Sequence, residues 1–317
     1  MRPDIPLRVF LLAMLLGSSL AKADDVPKEY LGRWDVTLVT PERELPTWLE
    51  ITQHDGKPAV RMVGRWGHAR WLPSAEFMGD KLHFVSPKEE EGRKDNMIFA
   101  VSVTGGVLTG ETTGPDGTIW KLRGERAPPL LPHKAEPGWG KKVTLFNGRD
   151  LTGWHLSDAK AAQTWVVENG SLVSTGNGAE LVTDGKFKDF KLHIEFKVAP
   201  GANSGIYLRG RYEVQVEHNS HPEAAERSLG GVYGFLAPSP LPDHTPDTWR
   251  AYDITLIGRW VTIVLDGKTI IESREIPGVT GGALDTHEGE PGPLYLQGSE
   301  NGRVEFRNIR ITPAATR

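Results

Sequence analysis

Apolar and polar side chains alternate along much of this chain, with the period of two that is typical of a half-buried β-strand. In residues 190–198 (FKLHIEFKV), every second side chain is apolar over a full strand length. Asn-Gly and Asp-Gly pairs, which favour tight hairpin turns, recur between such runs, at residues 116, 147, 169 and 266. Helical periodicity is scarce, so the sequence predicts an all-β protein.

Residues 127–140 (APPLLPHKAEPGWG) are predicted to be a linker, because four prolines and two glycines suit neither a central strand nor a helix interior. The linker would separate a small all-β domain at residues 24–126 from a second domain at residues 141–317. In the first domain the pattern predicts short strands at residues 34–39, 47–52, 59–63, 81–85, 97–103, 107–111 and 118–123.

Many short strands joined by polar turns favour a small β-sandwich or an up-and-down β-barrel for the first domain. Its first strand opens on Gly32-Arg33-Trp34, and its last strand ends at Arg123. This arrangement resembles the lipocalin-like barrel, in which a tryptophan plugs one end and an arginine packs over it. The resemblance implies either a ligand site in the barrel mouth or a packed accessory domain, and we favour the accessory domain.

The first 23 residues have the features of a cleavable signal peptide. Arg2 and Arg8 precede an apolar run at residues 9–16, and Ala-Lys-Ala follows at residues 21–23. The run is too short to span a bilayer, which takes about 20 residues, and no second apolar run reaches that length. The chain has no cysteine, which excludes a lipoprotein signal and disulfides. We expect a periplasmic or secreted protein without a membrane span.

Charge and histidine spacing exclude several classes of partner. The formal charge is −4, and it becomes −6 without residues 1–23, which argues against a nucleic-acid partner. The ten histidines form no H-x-H or H-x-x-x-H pair, so no metal site and no cofactor are expected. The acidic loop at residues 285–290 (DTHEGE) could hold Ca²⁺, but a solvated loop is the favoured interpretation. The sequence carries no signal for an oligomeric state.

One predicted strand of the second domain, residues 212–217 (YEVQVE), carries only acceptors and an amide on one face: Glu213, Gln215 and Glu217. Buried carboxylates are costly, so this face meets either water or a ligand. The pattern resembles the E-x-D-x-E strand of laminarinase-type glycoside hydrolases, with Gln215 in place of the aspartate. On a flat strand the two glutamate Cα atoms lie about 13 Å apart, whereas paired glycosidase carboxyls lie about 5–9.5 Å apart. Two-carboxylate chemistry is therefore permitted but not required.

Ten short motifs in order identify the second domain as similar to the 3-keto-disaccharide hydrolase domain family. The resemblance covers residues 143–313 and implies a concanavalin A-like sandwich of two antiparallel sheets with a concave face for carbohydrate. The motifs are LFNG at 145–148, LTGW at 151–154, FKLHIEFKV at 190–198, NSGIYLR at 203–209, YEVQV at 212–216, GVYG at 231–234, WRAYDI at 249–254, LDG at 265–267, GPLYLQG at 292–298 and FRNI at 306–309.

The resemblance also implies an enzyme that cleaves glycosides already oxidised at C3, with a carbohydrate as its substrate. The 3-keto group acidifies the C2 hydrogen, so a base can remove it and the C1 substituent can leave, after which water adds. Glu195, Glu213 and Glu217 are the acid and base candidates, in an order that stays open. Arg209 would stabilise the enolate oxygen, or else only neutralise a glutamate. The residues expected to bind sugar are Asn203, Tyr207, Gln215, His218, Tyr295 and Gln297.

The chain departs from the family pattern after the Leu-Gln-Gly motif. Members of this family often carry an Asp-His or His-Gly pair there, whereas this chain has Ser-Glu-Asn-Gly at residues 299–302. Glu300, His287 or His218 could replace the missing histidine. Two other functions therefore stay open, namely a non-catalytic carbohydrate-binding protein and a structural interaction module. Asn203 could equally be a turn residue, since asparagine tolerates a left-handed backbone.

Overall fold

The computed structural model describes residues 25–65, 67–132, 135–176, 179–218 and 222–315, and the expected signal peptide lies outside them. The described residues are dominated by strands, which confirms the all-β prediction. They include one turn of α-helix at Lys88–Glu91 and a short 3-10 helix at Pro222–Arg227. None of the described helices is long and apolar enough to cross a membrane.

The first half of the chain forms one antiparallel sheet in which sequence neighbours pair, except the fourth and fifth strands at its two ends, and the last strand returns to the first. The third strand also lies against the fifth, so the sheet curls into an up-and-down barrel around its own apolar core. The strands are β1 (Gly32–Val39), β2 (Glu44–His54), β3 (Lys57–Val63), β4 (Arg70–Trp71), β5 (Ser74–Met78), β6 (Lys81–Ser86), β7 (Met97–Thr104), β8 (Val107–Thr113) and β9 (Ile119–Arg126).

A tryptophan plugs the barrel as the resemblance implied, but the arginine over it is Arg126 and not Arg123. Trp34 is fully buried, and the Arg126 guanidinium carbon lies 3.9 Å from its ring centroid. Trp34 and Arg126 are direct cross-strand partners of β1 and β9. Arg123 lies three residues before Arg126 on the same strand, so its side chain points to the opposite, outer face, where it pairs with Glu125 at 3.2 Å.

The second half of the chain is a sandwich of two antiparallel sheets with a continuous apolar core between them. The larger sheet has the order β12-β13-β22-β15-β18-β19-β20, with β10 beside β22, and the smaller has the order β11-β14-β21-β16-β17. Their strands are β10 (Val143–Thr144), β11 (Trp154–Leu156), β12 (Trp165–Glu168), β13 (Ser171–Ser174), β14 (Leu181–Phe187), β15 (Phe190–Val198), β16 (Asn203–Leu208), β17 (Tyr212–Glu217), β18 (Arg250–Ile257), β19 (Trp260–Leu265), β20 (Lys268–Glu275), β21 (Gly292–Leu296) and β22 (Val304–Pro313).

The barrel packs on two loops of the sandwich through a small apolar cluster. Trp48 and Val63 of the barrel contact Val279 of the sandwich in this cluster. The Trp48 ring also meets Phe235 edge-on, with the centroids 5.3 Å apart. Gly278 is required here, because a Cβ atom at this position would collide with the Trp48 indole. The barrel is thereby fixed against the loops at residues 228–236 and 277–284, which border the smaller sheet.

Two carboxylates of the acidic loop at residues 285–290 form salt bridges with arginines. Asp285 pairs with Arg211 at 2.5 Å, and Glu288 is buried against Arg259 at 2.9 Å. Buried Asp35 of the barrel lies close enough to Glu288 for its pKa to be raised, first by burial and then by the charge of Glu288. Among the residues described, no group of three or more histidine, aspartate or glutamate side chains is placed to hold a metal ion. The loop therefore acts as an ionic contact beside the barrel, which corrects the expectation of a solvated loop.

We predict that Asp35→Asn stabilises the protein at mildly alkaline pH. The pKa of Asp35 is higher in the folded state, so its contribution to stability is fully present below the unfolded pKa of about 4 and is lost as pH rises through the folded pKa. Thermal unfolding at pH 8 should show Tm raised by about 2–4 °C, the effect of roughly 1 kcal/mol. At pH 4 the gain should vanish. Glu76→Gln, an exposed glutamate on β5 of the barrel, is the matched control; an equal gain at both pH values would contradict the prediction.

Candidate active site

Strand β17 is buried on both faces. Tyr212, Val214 and Val216 point into the sandwich core. Glu213 and Glu217 point the other way, yet each is only 4% exposed, because the loops at residues 228–236 and 277–284 pair with the free edge of the strand. The outer face of β17 is therefore a covered polar site, and the alternative of an ordinary solvated face does not hold.

The pairing of β16 with β17 and β21 brings most of the expected site residues together. Tyr207 lies opposite Glu213, and Asn203 lies opposite Glu217. Tyr207 also lies beside Tyr295, with their rings stacked at a centroid distance of 4.1 Å. We refer to the outer-face side chains of these three strands as the acidic cluster; they are Asn203, Tyr207, Glu213, Gln215, Glu217, Tyr295 and Gln297.

A glycine makes room for the first carboxyl group of the acidic cluster. Gly205 lies opposite Gln215 in the register, between the two glutamate positions. A Cβ atom on Gly205 would come within 2.8 Å of Glu213 Cγ and 2.9 Å of its Cδ. Because real Cβ contacts are not that close, the Glu213 side chain can lie across β16 only over a glycine. The glycine of the Asn-Ser-Gly motif thus leaves the space that the Glu213 carboxyl group fills.

The environment of Glu213 favours its neutral form. Burial raises the pKa of Glu213 to about 8; the neighbouring Tyr207 hydroxyl opposes this, and the charges of Glu300 and Glu217 add to it. The Tyr207 hydroxyl donates its one proton to the Gly281 carbonyl at 2.8 Å, which fixes the ring. At neutral pH Glu213 is therefore a carboxylic acid that can give up a proton.

Glu217 differs from Glu213 in having a cation close by. Burial raises the pKa of Glu217 to about 8 as well, while the charge of Arg227 works against the shift. Arg227 ends the 3-10 helix that precedes the covering loop at residues 228–236, and its Nε is buried without a hydrogen-bond partner among the described residues. The two glutamates interact, so they lose their protons in two steps. Arg227 favours Glu217 as the first to ionise.

The amide side chains supply unused acceptors at the partly exposed side of the cluster. Gln215 Nε2 donates to the Arg227 carbonyl at 3.3 Å, while the Oε1 atoms of Gln215 and Gln297 are buried without a partner in the described part of the chain. Glu300 is exposed and joined to Asn203 by two backbone hydrogen bonds, of 3.0 and 2.8 Å. Of the three suggested substitutes for the missing histidine, Glu300 is thus the one beside the acidic cluster.

The structure does not bring Glu195 together with the other two glutamates, which corrects the expectation of a shared site. Glu195 lies on the outer face of the larger sheet, opposite Arg307 on β22. It accepts hydrogen bonds from Arg307 Nε at 2.6 Å and Asn308 Nδ2 at 2.7 Å. Partial burial would raise its pKa, but these two hydrogen bonds outweigh burial and lower it. The Arg307-Asn308 pair thus holds Glu195 on the larger sheet.

Arg209 also lies apart from the acidic cluster, on the side of the sandwich core. Its φ of 55° is in the left-handed region, and its buried guanidinium donates to the Gly258 carbonyl at 2.5 Å and to the Tyr212 hydroxyl at 3.3 Å. Its charge acts on Glu288 at the barrel contact. Arg209 therefore joins the ends of the two sheets, and it neither stabilises an enolate at the cluster nor pairs with Glu213.

The remaining histidine candidates are also placed elsewhere. His218 follows β17 with the opposite side-chain direction, and its Nδ1 accepts a hydrogen bond from Gly201 N at 3.1 Å. His287 is an exposed residue of the acidic loop, 3.7 Å from Asp285. His218, which the sequence assigned to substrate binding, thus lies at the turn before β16 and outside the acidic cluster.

Sequence reasoning missed two residues that border the site, Arg227 and Tyr233. Burial raises the pKa of Tyr233 to about 12, and the nearby charge of Glu213 adds to the shift. Tyr233 belongs to the covering loop and Arg227 ends the 3-10 helix before it, and neither segment has strand periodicity. The Gly-Val-Tyr-Gly motif at residues 231–234 was the available signal, because it contains Tyr233 and begins four residues after Arg227.

The fold and site define a two-sheet β-sandwich with a pair of buried carboxyl groups, and comparison with known proteins gives its family. The sequence profile of the 3-keto-alpha-glucoside-1,2-lyase-like domain matches residues 141–312, which is more than half of the chain. The chain belongs to this family, as the motifs indicated.

Similar proteins include a 3-keto-disaccharide hydrolase of Bacteroides thetaiotaomicron, 33% identical over 75 residues, which are 20% of this chain and 26% of that protein. The chain thus spans about a quarter of the length of this curated relative. A candidate glycosyl hydrolase from Parabacteroides distasonis is 27% identical, with 58% of this chain and 93% of that chain covered at a TM-score of 0.46. A κ-carrageenase from Pseudoalteromonas carrageenovora is 12% identical, with 58% and 98% covered at a TM-score of 0.38.

We predict that Arg209→Met lowers stability rather than site function. The substitution removes a buried donor from the Gly258 carbonyl and a cation from the surroundings of Glu288, a loss of about 3 kcal/mol in the free energy of unfolding. Denaturant unfolding measures it, with Arg209→Lys as the variant that keeps the charge. Unchanged stability together with a loss of ligand binding at the acidic cluster would contradict this placement.

Proposed function

We propose that this protein is a carbohydrate-active enzyme that cleaves 3-keto-glycosides at the acidic cluster, by β-elimination followed by addition of water. The observation that carries the proposal is the pair of buried glutamates, Glu213 and Glu217, on one strand of a domain that belongs to the 3-keto-alpha-glucoside-1,2-lyase-like family. Buried carboxyl groups with raised pKa values in a polar site are typical of acid–base catalysis.

The reaction needs one base and one acid. The C3 carbonyl acidifies the hydrogen on C2, so a carboxylate can remove that proton and leave an enolate. The electron pair then forms the C1–C2 double bond, the C1–O bond breaks, and the leaving oxygen takes a proton from the acid. Addition of water across the double bond, with its oxygen at C1 and a hydrogen at C2, gives the free 3-keto sugar.

The two glutamates suit these two roles for electrostatic reasons. Arg227 favours the ionised form of Glu217, so Glu217 is the base that removes the C2 proton. Glu213 lies among the charges of Glu217 and Glu300, both of which favour its neutral form, so it is the acid that protonates the leaving oxygen. Each group regains its starting state when water adds with the proton transfers reversed.

Other residues of the site would bind the sugar and the enolate. Tyr233 stays protonated at neutral pH, because its pKa is raised to about 12, so its hydroxyl can donate to the enolate oxygen. The unpartnered amide oxygens of Gln215 and Gln297 are acceptors for sugar hydroxyl groups. Tyr233 thereby takes the role that the sequence had suggested for Arg209.

We predict that Glu213→Gln abolishes turnover of 3-keto-trehalose and 3-keto-lactose without unfolding the protein. Loss of the acid should lower kcat about 10²–10⁴-fold, the usual contribution of such a group. Release of free sugar by the purified chain measures turnover, and thermal unfolding checks the fold. Glu195→Gln is the matched control, because that glutamate lies on the other sheet, and it should keep full activity. Equal losses in both variants would contradict the assignment.

We also predict a bell-shaped dependence of kcat/KM on pH, centred near 8, the value to which both glutamate pKa values are raised. Activity rises as Glu217 ionises and falls as Glu213 loses its proton. In Arg227→Gln the acidic limb should move to higher pH, because the cation no longer favours ionised Glu217. Arg307→Gln is the control: Arg307 lies beside Glu195 on the larger sheet, so its loss should leave the pH profile unchanged. An acidic limb that does not move in Arg227→Gln would contradict the role of Glu217 as the base.

The residues Ser299-Glu300-Asn301-Gly302 favour one second candidate, a non-catalytic carbohydrate-binding protein. They stand where family members often carry a histidine, and Glu300 beside Asn203 supplies a carboxylate in its place. This candidate predicts saturable sugar binding that Gln297→Ala weakens, together with no release of sugar from either 3-keto substrate. Turnover by the unmodified chain would dismiss it.

A further inference from the structure

A cavity of about 500 Å³ lies where one end of the barrel meets the covering loop of the sandwich. Its volume is within the range of ordinary small-molecule sites, about 300–1,000 Å³. The barrel contributes an apolar wall that includes Leu45, Met62, Met97 and Trp120, and the sandwich contributes Arg227 and Tyr233. The cavity therefore combines side chains from both halves of the chain.

The chemistry of the wall suits an apolar ring that carries an oxygen. The Arg93 guanidinium carbon lies 5.9 Å from the Trp120 ring centroid. Nε and Nη1 of Arg93 and Nε of Arg227 are buried without hydrogen-bond partners among the described residues. Glu91, which also lines the cavity, is already bonded to Arg70 and Ser86. Donors from cations thus border an apolar wall, and an oxygen acceptor on an aromatic ring would satisfy them.

The cavity shares two lining side chains with the surroundings of the proposed catalytic groups. Arg227 acts on Glu217 and Tyr233 lies near Glu213, and both Arg227 and Tyr233 line the cavity. A sugar ring held by the amides of the acidic cluster would have its C1 substituent close to this wall. The leaving group of an elimination at C1 would then occupy the barrel mouth.

We propose that the barrel mouth is the leaving-group subsite and that it accepts aromatic aglycones with a phenolic oxygen. The proposal rests on the proposed function, since it assigns the second half of the same substrate. Barrel strands β1 to β9 lie outside the family match at residues 141–312, so this subsite is an addition of this chain to the family domain. The barrel is then a specificity domain, in place of the accessory role favoured from the sequence.

The test compares two substrates that differ only in the leaving group, namely 4-nitrophenyl 3-keto-β-galactoside and 3-keto-lactose. Trp120→Ala should lower kcat/KM for the aryl substrate about tenfold or more and change that for 3-keto-lactose less than about twofold. Trp120→Phe, which keeps an aromatic wall, should recover most of the loss. Trp71→Ala is the control, because Trp71 is a barrel tryptophan that is 52% exposed and lies outside the cavity wall. Equal losses on both substrates, or none, would overturn the proposal.

A binding measurement separates this proposal from the proposed function. 4-Nitrophenyl β-galactoside is not oxidised at C3 and is inert to elimination, so calorimetry with the full chain reports the subsite without turnover. Binding that Trp120→Ala weakens about tenfold and Trp71→Ala leaves intact supports the subsite, even if no 3-keto substrate is cleaved. Turnover of 3-keto-lactose without aryl binding would sustain the proposed function and overturn the subsite. Tighter binding of lactose than of the aryl galactoside, lost in Trp120→Ala, would identify a sugar as the occupant and overturn the aromatic assignment.

Discussion

Strand β17 (Tyr212–Glu217) must bury carboxyl groups on one face in order to bury its apolar side chains on the other. A buried carboxylate is costly unless it is paired or neutralised, and here Glu213 is neutralised while Glu217 lies near Arg227. The loops at residues 228–236 and 277–284 keep water from this face by pairing with the strand edge. The stability of this strand and the acid–base chemistry proposed for it thus depend on the same exclusion of water.

The barrel contributes to that exclusion, since it packs on both covering loops. Trp48 of the barrel contacts Val279 and Phe235, which belong to the two loops, and the Gly282 amide donates to the Arg65 carbonyl at 2.7 Å. The loops would otherwise present these apolar side chains to solvent. A domain that first holds the loops in place is also well placed to line the path to the site, which is the basis for the proposed subsite at its mouth.

Alternation in the sequence predicted β15 and β17 and therefore the common face of Glu213, Gln215 and Glu217. The ordered motifs added Asn203, Tyr207, Tyr295 and Gln297, because strand pairing places them beside that face. Glu195 could not be placed, since alternation gives the face of a strand but not the sheet to which the strand belongs. Arg209 and Arg227 lie on irregular backbone, where the strand period does not set the side-chain direction. Arg209 has a left-handed backbone, and Arg227 ends a short 3-10 helix.

The most direct test of the proposed elimination is the fate of hydrogen at C2 when 3-keto-lactose is cleaved in D₂O. In the elimination the C2 proton passes to the carboxylate of Glu217 and exchanges there with D₂O before the addition of water returns a hydrogen to C2, so the released 3-keto-galactose should gain deuterium at C2 during turnover. Mass spectrometry and NMR of product collected early, against free product held in the same buffer without enzyme, would measure it. Product that keeps its original hydrogen at C2 would show direct hydrolysis and would contradict the mechanism.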